Sequence, residues 1–175
     1  HVLATQNPID QEGTYPLPEA QLDRFLMNIS ISYPDQSAER KILNLSNEKN
    51  DAYPKNILSS NELLDIQNFI KEIPVGESVV QYILNIIKQS RPETSEIKSV
   101  KENILWGPSP RASLALITTC RAKAFLENRY SPSVFDVQSL VKPILSHRLK
   151  LNISAKSENV NIEEILDDVI SHTKN

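Results

Sequence analysis

The chain has 175 residues, a formal net charge of −3 and 39% hydrophobic residues, an ordinary composition for a globular protein. No segment concentrates Lys or Arg, and no apolar stretch is long enough to cross a bilayer. We therefore expect neither a nucleic-acid-binding face nor membrane insertion. The single cysteine, Cys120, excludes an internal disulfide and fits a reducing compartment such as the cytoplasm. Its apolar neighbours predict a buried, inert thiol, and the three histidines complete no zinc pattern with it.

The first 33 residues have the pattern of α/β structure. The short apolar run Val2–Ala4 lacks alternation, which is typical of a strand buried on both faces of a parallel sheet. The polar residues that follow it would then lie at the carboxyl end of that strand, where such sheets bind ligands. Phe25–Ser32 alternates apolar and polar residues and predicts a second strand. Pro34 interrupts the pattern, so we place a domain boundary between residues 1–33 and residues 34–175.

The remainder predicts about six helices and one short strand in a single small domain. Capping signals mark the helix starts, including the capping box of Ser59 with Glu62 and the pair Ser109-Pro110. The helix after Ser109 is apolar nearly all round, so it should be the central, most buried one. Pro143 predicts a kink or an interruption, and the cations His147 and Arg148 suit a helix carboxyl terminus. The predicted helices begin at Asp35, Ser59, Gly76, Ser109, Ser131-Pro132 and Asn161 (with Glu164 completing a box), residues 93–102 form a loop, and 149–153 form the strand.

Two stretches of the chain, residues 4–25 and 107–112, carry a resemblance to a known family. Residues 4–8 are ATQNP, residues 11–20 are QEGTYPLPEA, residues 21–25 are QLDRF, and residues 107–112 are GPSPRA. These runs resemble the MoxR family of AAA+ ATPases nearly residue for residue, although Pro108 stands where the family more often carries a small residue such as alanine. The resemblance implies a mainly α chain: an AAA+ helical lid domain, residues 34–175, preceded by the carboxyl-terminal remnant of an α/β P-loop core, residues 1–33.

The resemblance also assigns three site residues. Asn7 corresponds to sensor 1, whose amide can position the attacking water; the alternative is an asparagine that caps a turn before Pro8. Arg24 corresponds to the arginine finger supplied in trans to a neighbouring subunit's nucleotide. The alternative for Arg24 is an exposed arginine paired with Asp23 or Glu19.

Arg111 corresponds to sensor 2, which binds the ATP phosphates. A cation in the first turn of a helix is unfavourable for the helix dipole unless an anion lies opposite, which fits a phosphate site. The alternative is that an acidic neighbour within the fold satisfies Arg111. Whether Arg111 serves its own nucleotide or that of a neighbour stays open at this point.

The implied activity belongs to a longer protein. The chain has three glycines and contains neither the Gly-x-x-x-x-Gly-Lys-Ser/Thr phosphate loop nor an apolar strand ending in Asp-Glu. We therefore expect residues before His1 to hold most of the ATP and Mg²⁺, and this fragment to be inactive alone. The resemblance implies a ring, commonly a hexamer, that couples ATP hydrolysis to chaperone-like remodelling or maturation of partner proteins. A von Willebrand factor A domain protein is a candidate partner.

Two other functions fit the same sequence. The first is a magnesium-chelatase-like ATPase subunit, a relative with the same sensors. The second is a non-enzymatic helical interaction module. An upstream insertion pattern or a chelatase partner would identify the first. A phosphate-binding loop before His1 would establish an ATPase and argue against the second.

Overall fold

The computed structural model describes residues 2–6, 17–45 and 57–174. Within these ranges the chain is mainly helical, as predicted, with nine α-helices, one 3₁₀ turn (Ser146–Arg148) and a two-stranded antiparallel sheet. The helices are α1 (Glu19–Leu22), α2 (Gln36–Leu45), α3 (Ser60–Glu72), α4 (Glu77–Gln89), α5 (Lys98–Asn103), α6 (Pro110–Leu126), α7 (Val134–Leu145), α8 (Ile153–Ser157) and α9 (Ile162–His172). The strands are β1 (Ile104–Trp106) and β2 (Lys150–Leu151), with Ile104 opposite Leu151.

Local capping chemistry sets most helix starts, and several predicted caps are confirmed. The Asp35 carboxylate accepts the Ala38 amide at 2.7 Å at the start of α2. Ser59 and Glu62 form the reciprocal capping box of α3. Ser109 caps α6, with Pro110 at its first position, where a missing N–H has no cost.

Two predicted caps are corrected. Helix α7 begins at Val134 and not at Ser131-Pro132. A capping box closes its amino end: the Ser133 side chain accepts the Asp136 amide, and the Asp136 carboxylate accepts the Ser133 amide. Asn161 does cap α9, but its side chain accepts from the amide of Glu163 and the predicted box with Glu164 does not form.

The hydrophobic core lies between α4, α6, α7 and α9. Helix α6 is central, as predicted, and packs against α3, α4 and α7. Its outer face is nevertheless exposed at Leu114 and Thr118. Helix α3 contributes no fully buried residue. The most deeply buried side chains include Tyr82, Ile83, Ile86, Val100, Leu116, Cys120, Val137, Val141, Ile144, Leu145, Leu166 and Val169.

Tertiary contacts produce helical structure where the sequence predicts a loop, at residues 93–102, and an interruption, at Pro143. Residues 93–102 are not wholly a loop, because α5 begins at Lys98 and buries Val100 in the core. Strand β1 follows α5 and pairs with β2, which confirms the strand predicted at 149–153 at residues 150–151. Helix α7 continues through Pro143 to Leu145 before the 3₁₀ turn. No helix in the described ranges has the length and apolarity needed to cross a membrane.

The predictions of two amino-terminal strands are wrong for the residues that the structure describes. Val2–Ala4 is exposed and forms no strand, and Phe25–Ser32 is not a strand either. A strand needs a neighbour for its backbone groups, and none lies beside these segments in the described part of the chain. The Asn28 amide instead donates to the Pro143 carbonyl at 2.7 Å, so this segment is bound to the end of α7.

Candidate functional site

Two of the three predicted site residues lie together. Arg24 follows α1, Arg111 lies in the first turn of α6, and both line one shallow cavity of about 230 Å³. Asn7 lies outside the described residues, so its predicted role stays a prediction. The cavity is lined by Asp23, Arg24, Leu26, Arg111, Leu114, Ala115, Thr118 and Arg148.

The GPSPRA motif fixes the amino end of α6 at this cavity. The Ser109 hydroxyl accepts the Arg111 amide at 3.2 Å and so begins the helix. Gly107 passes so close to the end of α4 that an added Cβ would lie 2.5 Å from the Ser90 carbonyl oxygen. The Arg91 Nε donates to the Pro108 carbonyl at 3.0 Å. Close packing against Ser90 and Arg91 therefore leaves no room for a side chain at Gly107. Pro108, the next residue, is buried within the turn.

Asp23 is the acidic centre of the cavity. Its carboxylate accepts the Ser109 hydroxyl at 2.8 Å, the Arg111 Nη1 at 3.0 Å and the Arg148 Nε at 3.2 Å. Burial alone would raise the pKa of Asp23. The hydrogen bonds from Ser109 and Arg111, together with the charge and hydrogen bond of Arg148, outweigh burial and hold this pKa below its usual range. Asp23 is therefore ionised at neutral pH.

Arg111 pairs with an acidic neighbour, Asp23, which is the alternative to a phosphate that the sequence leaves open. Its ion pair with Asp23 is well formed, but 56% of the Arg111 side chain is exposed. Exposed ion pairs of this kind contribute about 0–1 kcal/mol. The Arg111 guanidinium can therefore exchange its carboxylate partner for another anion at small cost.

Arg24 does not have the partners considered for it. The Asp23 carboxylate binds Arg111 and Arg148, and Glu19 forms an ion pair with Lys150. Within the described ranges the Arg24 side chain is exposed and makes no hydrogen bond or ion pair. The alternative in which Asp23 or Glu19 pairs with Arg24 is therefore not found, because both acids pair with cations of the helical domain.

Arg148 is a residue of the cavity that no sequence motif indicates. Its position in the sequence predicts a helix-terminal cation, and Arg148 does donate to the Ile144 carbonyl at 2.5 Å. Its side chain is only 2% exposed, however, and it binds the Arg24 segment at several atoms. A possible sequence signal was its position between the apolar residues Leu145 and Leu149, both of which are buried.

His147 lies beside Arg148 and also contacts the Arg24 segment. Its Nε2 lies 3.2 Å from the Phe25 carbonyl oxygen, which assigns the proton to Nε2 in the neutral ring. Burial lowers the pKa of His147, and the Arg148 charge adds to that effect. His147 is therefore a neutral donor at pH 7.

The charges of the cavity favour an anion over a cation. Three arginines and one carboxylate line it, which leaves an excess of two positive charges. The amino terminus of the 17-residue α6 adds its dipole at the same place. No group of three His, Cys, Asp or Glu in the described residues could hold a metal ion.

Comparison with known proteins gives the family. Residues 97–169 match the AAA lid domain family, and residues 1–27 match the family described as ATPases associated with various cellular activities (AAA). The chaperone MoxR1 of Mycobacterium tuberculosis is 36% identical over 97% of this chain and 45% of its own length. The uncharacterised protein YeaC of Bacillus subtilis is 33% identical over 99% of this chain and 52% of its own length.

A solved structure agrees. The crystal structure of a proposed ATPase from Cytophaga hutchinsonii has a TM-score of 0.89 and 35% identity, over 97% of this chain and 52% of the other. This chain belongs to the MoxR family of AAA+ ATPases. It carries the carboxyl-terminal portion of such a protein, with the AAA+ lid, and it spans about half the length of the curated MoxR relatives it matches.

The nucleotide implied by the MoxR family fits the described residues in part. The phosphates of ATP are the chemical complement of the Arg24 and Arg111 guanidiniums, which can fork onto phosphate oxygens. The Mg²⁺ that accompanies ATP would need carboxylate or hydroxyl ligands from elsewhere, because Asp23 is occupied by three donors.

Proposed function

We propose that this chain supplies the lid and the arginine finger of a MoxR-type AAA+ ATPase. In the whole protein, ATP binding and hydrolysis would drive chaperone-like remodelling or maturation of partner proteins. The observation that carries the proposal is Arg24, an exposed guanidinium without a partner in the described chain, beside a second guanidinium at a helix amino terminus. An unpaired cation at such a place is suited to an anion delivered from outside the chain.

Arg24 acts on the transferring phosphoryl group of a neighbouring subunit's nucleotide. Charge spreads over the phosphoryl oxygens in the transition state, and a fixed guanidinium stabilises that charge. Such a finger contributes a factor of about 10³–10⁵ in kcat, or roughly 4–7 kcal/mol of barrier. The effect is far larger than the ~0–1 kcal/mol of a surface ion pair, so the two roles are easy to separate by mutation.

Arg111 binds the same phosphate tail in this proposal, as sensor 2. Its position in the cavity that contains Arg24 favours one shared nucleotide, contributed by the neighbouring subunit, over two separate ones. Phosphate binding would draw Arg111 away from Asp23. Asp23 keeps its bonds to Ser109 and Arg148, so its charge stays compensated.

The other parts of the proposed ATPase follow from the family. We propose Asn7 as sensor 1, Mg²⁺ and most of ATP on a preceding P-loop core, and residues 34–175 as the lid. A finger that acts in trans requires a head-to-tail contact with a neighbouring subunit, and we propose that this contact closes into a hexameric ring in the cytoplasm. A von Willebrand factor A domain protein is the partner class we would test first.

The proposal is tested by comparing Arg24→Ala with Arg40→Ala in the whole protein. Arg40 is an exposed arginine on α2, away from the cavity, so it controls for loss of a surface charge. Arg24→Ala should lower ATP turnover at least about 10³-fold while ATP binding and the melting temperature stay close to wild type. Arg40→Ala should leave turnover unchanged. If turnover of Arg24→Ala stays within a few-fold of wild type, Arg24 is not the finger.

A further inference from the structure

One guanidinium binds the chain on both sides of Arg24. Arg148 donates through Nη2 to the carbonyl oxygens of Asp23 at 3.2 Å and Phe25 at 2.6 Å. Its Nη1 donates to the Leu26 carbonyl at 3.2 Å. Its Nε donates to the Asp23 carboxylate at 3.2 Å. These four bonds join residues about 125 positions apart in the sequence.

The geometry points to Arg148 as the positioning residue that holds Arg24 in the orientation needed to reach a phosphate. Arg148 also connects the arginine-finger segment to the lid. This inference rests on the proposed function, because it presumes that Arg24 reaches a phosphate. Arg148 itself is 2% exposed, so we assign it no direct contact with the nucleotide. It acts through the backbone of the residues on either side of Arg24.

The backbone around Arg24 needs such a partner. Carbonyls in a segment without sheet pairing must be satisfied by side chains or water. A planar guanidinium with five fixed donors can bind several carbonyls at once, whereas an ammonium is a point donor on a flexible stem. Fixing the carbonyls of Asp23, Phe25 and Leu26 fixes the Cα–Cβ direction of Arg24 between them.

The anchor joins the finger to one particular part of the fold. Arg148 also donates to the Ile144 carbonyl, and the Asn28 amide donates to the Pro143 carbonyl at the end of α7. His147 adds a contact to the Phe25 carbonyl. All three anchors lie on α7 and the 3₁₀ turn after it. Arg24 would therefore move as one body with the lid, although it precedes the domain boundary predicted after residue 33.

The test is a double-mutant cycle in the whole protein with Arg148→Met and Arg24→Ala. Misplacing a catalytic group by about 1 Å costs about 10²-fold, so Arg148→Met should lower kcat by about that factor with little change in KM for ATP. In the Arg24→Ala background, Arg148→Met should cause no further loss beyond about 2-fold, because its effect passes through Arg24. A further loss in that background as large as in wild type would overturn the inference.

A matched control separates positioning from stability. Arg129 is another hydrogen-bonded arginine of the domain, bound to Asp136 and Glu127 in the loop between α6 and α7. Arg129→Met removes an equally well-bonded guanidinium away from the cavity. It should leave kcat within about 2-fold of wild type at a temperature where the protein is folded. A loss of kcat equal to that of Arg148→Met would show a general folding effect and overturn the inference.

Amide hydrogen exchange tests the anchor independently of turnover. Arg148→Met should raise the exchange rate of the Phe25 and Asn28 amides at least about 10-fold and leave the core amides of α6 unchanged. If Arg148→Met does not fold, Arg148→Lys serves for both measurements, with the same direction expected. Unchanged exchange at Asn28 would overturn the anchor. Full turnover in Arg24→Ala would instead overturn the proposed function, and the exchange result would still decide whether Arg148 holds this segment.

Discussion

Replacing Asp23 by asparagine should destabilise the domain by about 2–3 kcal/mol. The change keeps the shape of the side chain but removes the charge that compensates the Arg148 guanidinium, which is 2% exposed. Removing one partner of a buried ion pair costs about 3–5 kcal/mol. The cost here is lower, because Asp23 is 17% exposed and Arg148 keeps four carbonyl acceptors. In a domain of this size the melting temperature should fall by roughly 4–12 °C.

Thermal and urea unfolding at pH 7, followed by circular dichroism, would measure the loss. Asp167→Asn is the matched control, because Asp167 pairs with Lys142 at 2.8 Å while 61% of its side chain is exposed. That control should change stability by less than about 1 kcal/mol. The lowered pKa of Asp23 means that its contribution is present above pH 3.8 and is lost as the pH falls through the folded-state pKa. Equal losses for Asp23→Asn and Asp167→Asn would refute the buried-pair argument.

Three further predictions concern single positions. Gly107→Ala should destabilise the protein by about 1–3 kcal/mol in urea unfolding, since its Cβ would meet the Ser90 carbonyl; a neutral change would contradict the close approach. Cys120 is buried and its pKa is raised to about 12, mainly by burial, so it should resist iodoacetamide at pH 8 until the protein unfolds; rapid labelling of native protein would be contrary evidence. Burial lowers the pKa of His147 below 6.5, so stability should fall as the pH drops below about 6.5, and His147→Gln should flatten that dependence in unfolding at pH 5 and 7. An unchanged slope would exclude His147 as the cause.

The elements that could be predicted from sequence are those set by local chemistry. A hydroxyl or carboxylate that caps a helix needs only its own neighbours, which is why Asp35, the Ser59–Glu62 box and Ser109 were predicted correctly. Ser131-Pro132 failed because a better reciprocal pair, Ser133 with Asp136, lies two residues further on.

Segments decided by distant partners could not be predicted. The alternation of Phe25–Ser32 predicts a strand, but the Asn28 amide and the carbonyls around it are bound by the end of α7 and by Arg148. Alternation indicates which side chains share a face, but it does not indicate which groups form hydrogen bonds with the backbone N–H and C=O groups. Helix α5 was missed for a similar reason, because the burial of Val100 against the core offsets a polar local sequence.

The sequence selected two residues of the cavity, but it did not predict how the cavity is arranged. The motif resemblance selected Arg24 and Arg111, which share one cavity in the structure. The bond from Arg148 to Asp23 spans about 125 residues, and no motif or spacing signals it. The choice of Asp23 as a partner of Arg24 followed sequence proximity, and the fold directs that carboxylate to Arg111 and Arg148.

The central claim is that Arg24 completes the nucleotide site of another subunit. The most direct measurement mixes two inactive forms of the whole protein. One is Arg24→Ala, with its own nucleotide site intact, and the other has a disabled phosphate-loop lysine and keeps Arg24. Random mixing in a ring should restore ATP turnover to about a quarter of wild type, because some interfaces then pair an intact site with an intact finger. Turnover that stays at the level of the separate variants would contradict a finger that acts in trans.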